Sequence, residues 1–279
     1  MLLRMLIENK SENPEFAVEH GMSLLIEFQG RRLLLDTGLS GAFADNAFKM
    51  GVDIRTVDAV VLSHAHSDHG GGLPRFFRIN EQAPVYMSDK AQRKYFSREL
   101  AKKEDISVPE AIFEEHPDRI RPVKGFTKLG EDVFIFTDFS RKYPLSRSNR
   151  HLLVKSGDGY VRDSFDHELA LVLNNGGKLV IVTGCSHNGA DNMVESVMGH
   201  FPGVPVQSVI GGFHLIGFPF HKLMGESREN IRALGQRLLG YGVERTYTCH
   251  CSGDWGYSVL KETMGDRVEY FYAGMQVEL

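Results

Sequence analysis

Apolar residues alternate with polar ones, or run unbroken, in short stretches at the start of the chain: "LLRMLIE" (2–8), "MSLLIEF" (22–28) and "LLLDTG" (33–38), with the tight turn "QGRR" before the third. Period-two patterning bounded by glycine predicts strands, and the short turn predicts an antiparallel meander. "SGAFADNAFKMGV" (40–52) places Ala42, Phe43, Ala47, Phe48 and Met50 near helical spacing, and "VDAVVLS" (57–63) is a continuous apolar run of the buried-strand kind. "PVYMSD" (84–89) reads as a strand and "KAQRKYFSRELAKKEDI" (90–106) as an exposed helix. Residues 89–130 carry few strand signals and read as an insertion that caps a pocket or forms an interface.

The second half has a clearer rhythm. "DVFIFTDF" and "ELALVLNNGGKLVIVTG" predict strands, the latter a hairpin because Asn and Gly tolerate the positive φ of a tight turn. From residue 188 onward, helical patterns ("GADNMVESVMGH", "GESRENIRALGQRLLGYG", "DWGYSVLKETMG") alternate with strand patterns ("VQSVIGG", "VERTYTCH", "VEYFYAG"). Alternation of this kind implies helices layered on a sheet. With no internal repeat and no linker, residues 1–279 read as a single domain with two similar halves, sheet facing sheet and helices outside.

Composition narrows the functional classes. Of the 279 residues 42% are hydrophobic and 24% charged, an ordinary globular balance, and the net charge of −4 provides no basic footprint for nucleic acid. The locally basic "SRKYPLSRSNRHLLVK" (140–155) reads as a solvated loop that could also meet an anionic small molecule. The start of the chain meets Glu8 before any cleavage site, and no stretch reaches the ~20 apolar residues of a bilayer span, so a cytoplasmic protein without membrane contact is expected. Cys185, Cys249 and Cys251 are an odd count for a disulfide framework and read as thiols.

The candidate chemistry sits in "VVLSHAHSDHGGGL" (60–73). His64 and His66, two apart at a strand exit, project to one side, as joint ligation of one ion requires, while Asp68 and His69 follow across a turn and address a neighbouring position. Imidazole with carboxylate favours zinc, with manganese or iron as alternatives, over calcium. Glycines 70 to 72 let backbone approach closely, and Gly70 and Gly71 are candidates for binding an anionic group. Further ligands are expected at other strand ends: Cys185 and His187 in "VIVTGCSHNG", His214 in "SVIGGFHL", and Cys249, His250 and Cys251 in "RTYTCHCSG".

"LLLDTG", "LSHAHSDHGGGL", "TGCSHNG" and "CHCSG", in this order, resemble the metallo-β-lactamase superfamily, whose fold is a four-layer αββα sandwich with a metal site at the edge of the two sheets. More closely, "EHGMSLLIEFQGRRLLLDTG", "VDAVVLSHAHSDHGGGLP", "LVIVTGCSHNGADN" and "VIGGFHL" resemble the branch containing 7,8-dihydropterin-6-methyl-4-(β-D-ribofuranosyl)aminobenzene 5′-phosphate synthase. The resemblance implies two divalent metal ions, His64, His66 and His187 holding the first and Asp68, His69 and His250 the second, with Asp36 orienting the metal loop. Where many superfamily hydrolases bridge the metals with an aspartate, this chain has Cys185, either an additional ligand or a small packed residue. His167 in "SFDHELALV" competes with His187 and ranks behind it.

The implied activity is hydrolysis of a small phosphorylated or cyclic ester by an activated water, with Asp68 orienting the attacking hydroxide and His214 contributing to the substrate pocket or supporting a ligand. The branch suggests a second reading, a synthase-like transferase in which the metals hold a diphosphate leaving group and Phe213, Phe218, Phe220 or Trp255 stack on a pterin. A third is a metal or redox sensor built on the three cysteines. The expected partner is an anionic small molecule and not nucleic acid, and a homo-oligomer is compatible with the sequence. His20, His116, His151, His200 and His221 read as surface or structural residues.

Overall fold

The computed structural model describes residues 1–99, 102–217 and 223–279. The chain divides into two compact units that interleave in sequence: Met1–Tyr95, Ile106–Val123 and Phe271–Leu279 form one, and Phe96–Asp105 with Lys124–Tyr270 the other.

The first unit is built on a seven-stranded sheet. Leu2–Ile7, Ser23–Phe28 and Arg31–Leu35 form the expected antiparallel meander, and Ala59–Val61, Val85–Ser88 and Ile120–Val123 then add in parallel, while Gln276–Glu278 closes the other edge against Leu2–Ile7. The switch from antiparallel to parallel falls after Arg31–Leu35, where the crossover helix Ala42–Lys49 is needed to return the chain. It buries Phe43, Ala44, Asn46 and Ala47, whereas Phe48 is exposed despite its place in the apolar pattern. Ala59–Val61 is buried throughout, which is why its sequence is a run rather than an alternation.

The second unit carries another seven-stranded sheet, in the order Val268–Tyr270, Arg245–Thr248, Val206–Gly211, Lys178–Thr183, Ala170–Asn175, Val133–Phe136, Phe126–Gly130. Its four C-terminal strands are parallel, joined by helices Ala190–His200, Arg228–Gly240 and Gly253–Met264. One face of each helix packs on the sheet: Val194 and Val197, Ile231 and Leu238, and Val259 and Leu260 share a core with Val172, Ile181 and Val209. Each such side chain, buried from water, contributes roughly 1.5–3 kcal/mol before chain entropy is charged, so this helix-on-sheet face dominates the unit's cohesion.

Two sequence expectations fail in the middle of the chain. Residues 90–106 form the antiparallel strands Tyr95–Glu99 and Lys102–Asp105 instead of an exposed helix. Tyr95 is fully buried and its hydroxyl donates to the Lys90 carbonyl, an anchor that outweighs the helix propensity of the Lys and Glu residues around it. Likewise the "SRKYPLSRSNRHLLVK" stretch is not wholly a loop. Leu152–Ser156 is a strand paired with Gly159–Arg162, in a small sheet with Tyr95–Glu99 and Lys102–Asp105.

Candidate metal centre

In the first unit the strand Ala59–Val61 ends just before Ser63, and His64 to His69 wrap from this exit into the short helix Ser67–Gly70. His64, His66 and His69 are all buried, and the ligating atoms of His64, His66 and Asp68 lie within 4.8 Å of one another. Asp36 organises the turn. It sits at the end of Arg31–Leu35 in a left-handed conformation (φ 59°) that Asp tolerates better than most residues. Its Oδ1 accepts the Ser63 amide at 2.7 Å, and its Oδ2 accepts the Ser63 hydroxyl at 2.6 Å and lies 2.6 Å from His69 Nδ1.

The Ser63 hydroxyl is in turn 2.9 Å from His64 Nδ1, so one buried carboxylate fixes two imidazole rings through their Nδ1 atoms. A ring held this way presents Nε2 as its coordinating atom, and the carboxylate raises its basicity. His69 Nε2 lies 3.6 Å from Asp68 Oδ2, so the two residues face the same point.

Glycines 70 to 72 have a packing reason. A Cβ on Gly70 would stand 2.4 Å from Val108 Cγ1, on Gly71 2.1 Å from the Leu39 carbonyl oxygen, and on Gly72 2.3 Å from the Thr37 carbonyl oxygen. The turn is pressed against the Thr37–Ser40 loop, and the amide of Thr37 donates to the His69 carbonyl at 2.7 Å.

Sequence reasoning took His20 for a surface or structural residue. It is half-buried with Nε2 3.5 Å from Asp68 Oδ2, which makes it a neighbour of the candidate ligand. The only sequence signal was its position before Gly21, whose missing side chain lets the Asp68 carbonyl approach.

In the second unit, Cys185, Ser186 and His187 follow the strand Lys178–Thr183. The turn is held by Glu168, a fully buried carboxylate that accepts the amides of His187 and Asn188, each at 2.7 Å, and the Asn188 side-chain amide at 2.8 Å. Burial pushes the Glu168 carboxyl above its ordinary pKa, and these hydrogen bonds oppose the rise. His187 Nδ1 lies 3.0 Å from Asn149 Oδ1, Asn149 Nδ2 donates to the His187 carbonyl, and the Phe165 ring stacks on the imidazole at 4.6 Å. Here a neutral amide does for His187 what a carboxylate does for His69. Neither Glu168 nor Asn149 was singled out from sequence. Asn149 lies in the basic stretch read as a solvated loop, and no spacing marks it.

His167, the competitor of His187, has Nε2 3.0 Å from Asp163 Oδ2, both side chains buried. His250 follows the strand Arg245–Thr248, buried in a short 3-10 turn, His250–Ser252, with φ 49°. Because of this turn, Cys249 and Cys251 do not sit two apart on an extended strand. Cys251 bends towards Cys185 and His214, and its sulfur accepts the His214 amide at 3.2 Å. Burial would raise the Cys251 thiol, but contacts with Cys185 and the His214 ring, and the charges of His250 and His214, bring it well below the ordinary value. The His214 ring is 4.2 Å from that of His187.

Of the aromatics considered for stacking, Phe213 is buried in the core of its unit, while Trp255 is partly exposed beside Arg228. Phe218, Phe220 and His221 lie outside the described residues.

The donor set suits a metal of the zinc, manganese or iron type: imidazoles oriented through Nδ1, one carboxylate, and oxygen or nitrogen donors rather than an oxygen cage. Residues 17–139 match the family model described as metallo-beta-lactamase superfamily. The solved structure of Tm1679, a metal-dependent hydrolase of the beta-lactamase superfamily, covers all of this chain at 26% identity with a TM-score of 0.83, matching 99% of its own length. Residues 17–139 thus match a metallo-β-lactamase superfamily domain, and the chain has the mixed α/β fold of its structural neighbours.

More particularly, it resembles 7,8-dihydropterin-6-methyl-4-(beta-D-ribofuranosyl)-aminobenzene-5'-phosphate synthase of Methanocaldococcus jannaschii, 29% identical over 94% of this chain and 90% of that protein. Zn(2+)-bound PqqB from Methylobacterium extorquens, at 11% identity and a TM-score of 0.60 over the full length of both chains, shares the fold. No described helix is long and apolar enough to cross a membrane.

Proposed function

We propose that this protein is a dinuclear metal hydrolase acting on a small, anionic phosphorylated or cyclic ester, with zinc as the preferred ion. In this reading His64, His66 and His187 hold one ion and Asp68, His69 and His250 the other, an assignment that rests on the superfamily resemblance of the motifs. The observation that carries it is the anchoring of His64, His69 and His187 through Nδ1 to Ser63, Asp36 and Asn149. Rings used only for packing need no such fixed tautomer.

When bound, two divalent ions supply an acidified water and Lewis acidity at the electrophile. The chain's own residues do the rest. Asp36 keeps the His69 proton on Nδ1 and, through Ser63, fixes the orientation of the His64 ring. Asp68, the least buried of the proposed ligands in its unit, orients the attacking water. His20, beside Asp68, is placed to hold that carboxylate in position.

A second reading, a synthase-like transferase in which the same ligands hold a diphosphate leaving group, is favoured by the name of the 29% identical relative. Turnover assays separate the two. Purified protein loaded with zinc or manganese would be offered aryl phosphodiesters, lactones, and a pterin methyl diphosphate with an arylamine acceptor. Ester cleavage abolished by Asp68→Ala supports the hydrolase. Carbon–carbon coupling with diphosphate release and no ester cleavage would replace it by the synthase.

A further inference from the structure

Beside the proposed ligands, the second unit holds a donor cluster of a different chemical character. The Sγ atoms of Cys185 and Cys251 and a ring nitrogen of His214 all lie within 4.8 Å of one another, and all three residues are buried. The cluster comes from three separate loops: the turn after Lys178–Thr183, the exit of Val206–Gly211, and the 3-10 turn His250–Ser252. The loops are tied together at the cluster itself. The Leu215 amide donates to the Cys251 carbonyl at 2.8 Å, the Phe213 amide to Ser252 Oγ at 2.9 Å, and the Cys251 thiol to the Cys185 carbonyl at 3.7 Å.

His214 is the informative member. The residue is 6% exposed, and among the described residues neither ring nitrogen makes a hydrogen bond. Its backbone adopts a left-handed φ of 47°, an unfavourable conformation for a residue with a Cβ. A structural histidine would satisfy its ring on a carbonyl or carboxylate, as His167 does on Asp163. Next to the cluster Gly212 is held open: a Cβ there would lie 2.5 Å from Cys251 Sγ. Ile216 packs with the two cysteines and walls the cluster with apolar surface.

We propose that Cys185, His214 and Cys251 form a second metal site, selective for a thiophilic d10 cation, Cu(I) foremost. Two thiolates and one imidazole are a soft donor set, which takes Cu(I) or zinc ahead of harder divalent ions, and three ligands without a fourth favour Cu(I) over four-coordinate zinc. The apolar wall suits an ion that accepts low coordination without added water. Metal–sulfur and metal–nitrogen bonds of about 2.3 and 2.0 Å require the three donors to draw together slightly, a movement of side-chain rotamers and not of the tied backbone. The proposal does not rest on the reaction catalysed, although Cys185 also has its sulfur within 4.8 Å of the ring nitrogens of His187 and His250 and so adjoins the other ligand set.

Anaerobic titration of the full-length protein with Cu(I), in competition with a chromophoric Cu(I) chelator, tests it. The readouts are the stoichiometry of tight uptake and the ultraviolet thiolate-to-copper absorption. Wild type should take up about one equivalent with that absorption. Cys251→Ser, Cys185→Ser and His214→Gln should each weaken uptake by about 100-fold or more, with circular dichroism and melting confirming that the variants are folded. Cys249→Ser, and the double variant His64→Ala with His66→Ala, should bind Cu(I) as wild type does.

Absence of competitive uptake by wild type would overturn the proposal, as would folded Cys251→Ser binding unchanged. Loss of uptake in the His64 and His66 variant would assign the thiolate to the other ligand set and overturn it equally. A second substitution at two of the three ligands, Cys251→Ala and His214→Ala besides those above, guards against a single misfolded variant.

Discussion

Asp36 Oδ2 and His69 Nδ1 are 2.6 Å apart, both side chains fully buried, and the same carboxylate holds His64 through Ser63. Asp36 belongs to one strand end and the histidines to the next, so the contact fixes the histidine loop to the sheet.

Removing the carboxylate leaves the Ser63 amide, the Ser63 hydroxyl and a ring nitrogen of His69 without their acceptor in a dry interior. Asp36→Ala should therefore destabilise the protein by about 3–5 kcal/mol, measured by denaturant unfolding. It should also release metal from otherwise folded protein. A loss below about 1 kcal/mol would mean that water replaces the carboxylate, and the positioning role would fall.

Glu168 gives a different test, because it touches the backbone of His187 and not its ring. Glu168→Gln keeps the shape but turns one donor group towards backbone amides that already donate. Metal affinity should drop by about 10–100-fold, read by competition with a chelator, while the far-ultraviolet circular dichroism stays that of wild type. Unchanged affinity would show that Asn149 alone suffices to place His187.

The glycine turn separates packing from ligand approach. Gly71→Ala forces a Cβ to within 2.1 Å of a backbone oxygen, so it should cost about 1–3 kcal/mol of stability or more. A stable variant with intact folding but impaired turnover would show instead that the turn exists to admit an anionic substrate group.

The sequence carried the site further than it carried the middle of the fold. His64, His66, Asp68 and His69 stood out as candidates because four polar donors followed a buried strand at fixed spacing, and Asp36 through the resemblance of "LLLDTG" to the superfamily. Glu168 and Asn149 left no such trace, since their roles depend on loops that meet His187 only after folding. The hairpin at 95–105 was misread for a related reason. Its Lys and Glu residues favour a helix locally, and the burial of Tyr95, which decides against one, is tertiary. The direction of Cys251 left no trace either, because a 3-10 turn with a left-handed His250 has no period to detect.

The central claim is the proposed one, that five histidines and Asp68 hold two ions. Metal content per chain, measured by mass spectrometry on protein purified without chelator, tests it most directly in wild type, Asp68→Ala and His187→Ala. The account predicts about two divalent ions in wild type and fewer in each variant, with all three folded. Retention of full metal content in His187→Ala would contradict the ligand assignment and turn attention to His167. Wild type that binds no zinc, manganese or iron even after reconstitution would contradict the dinuclear enzyme itself.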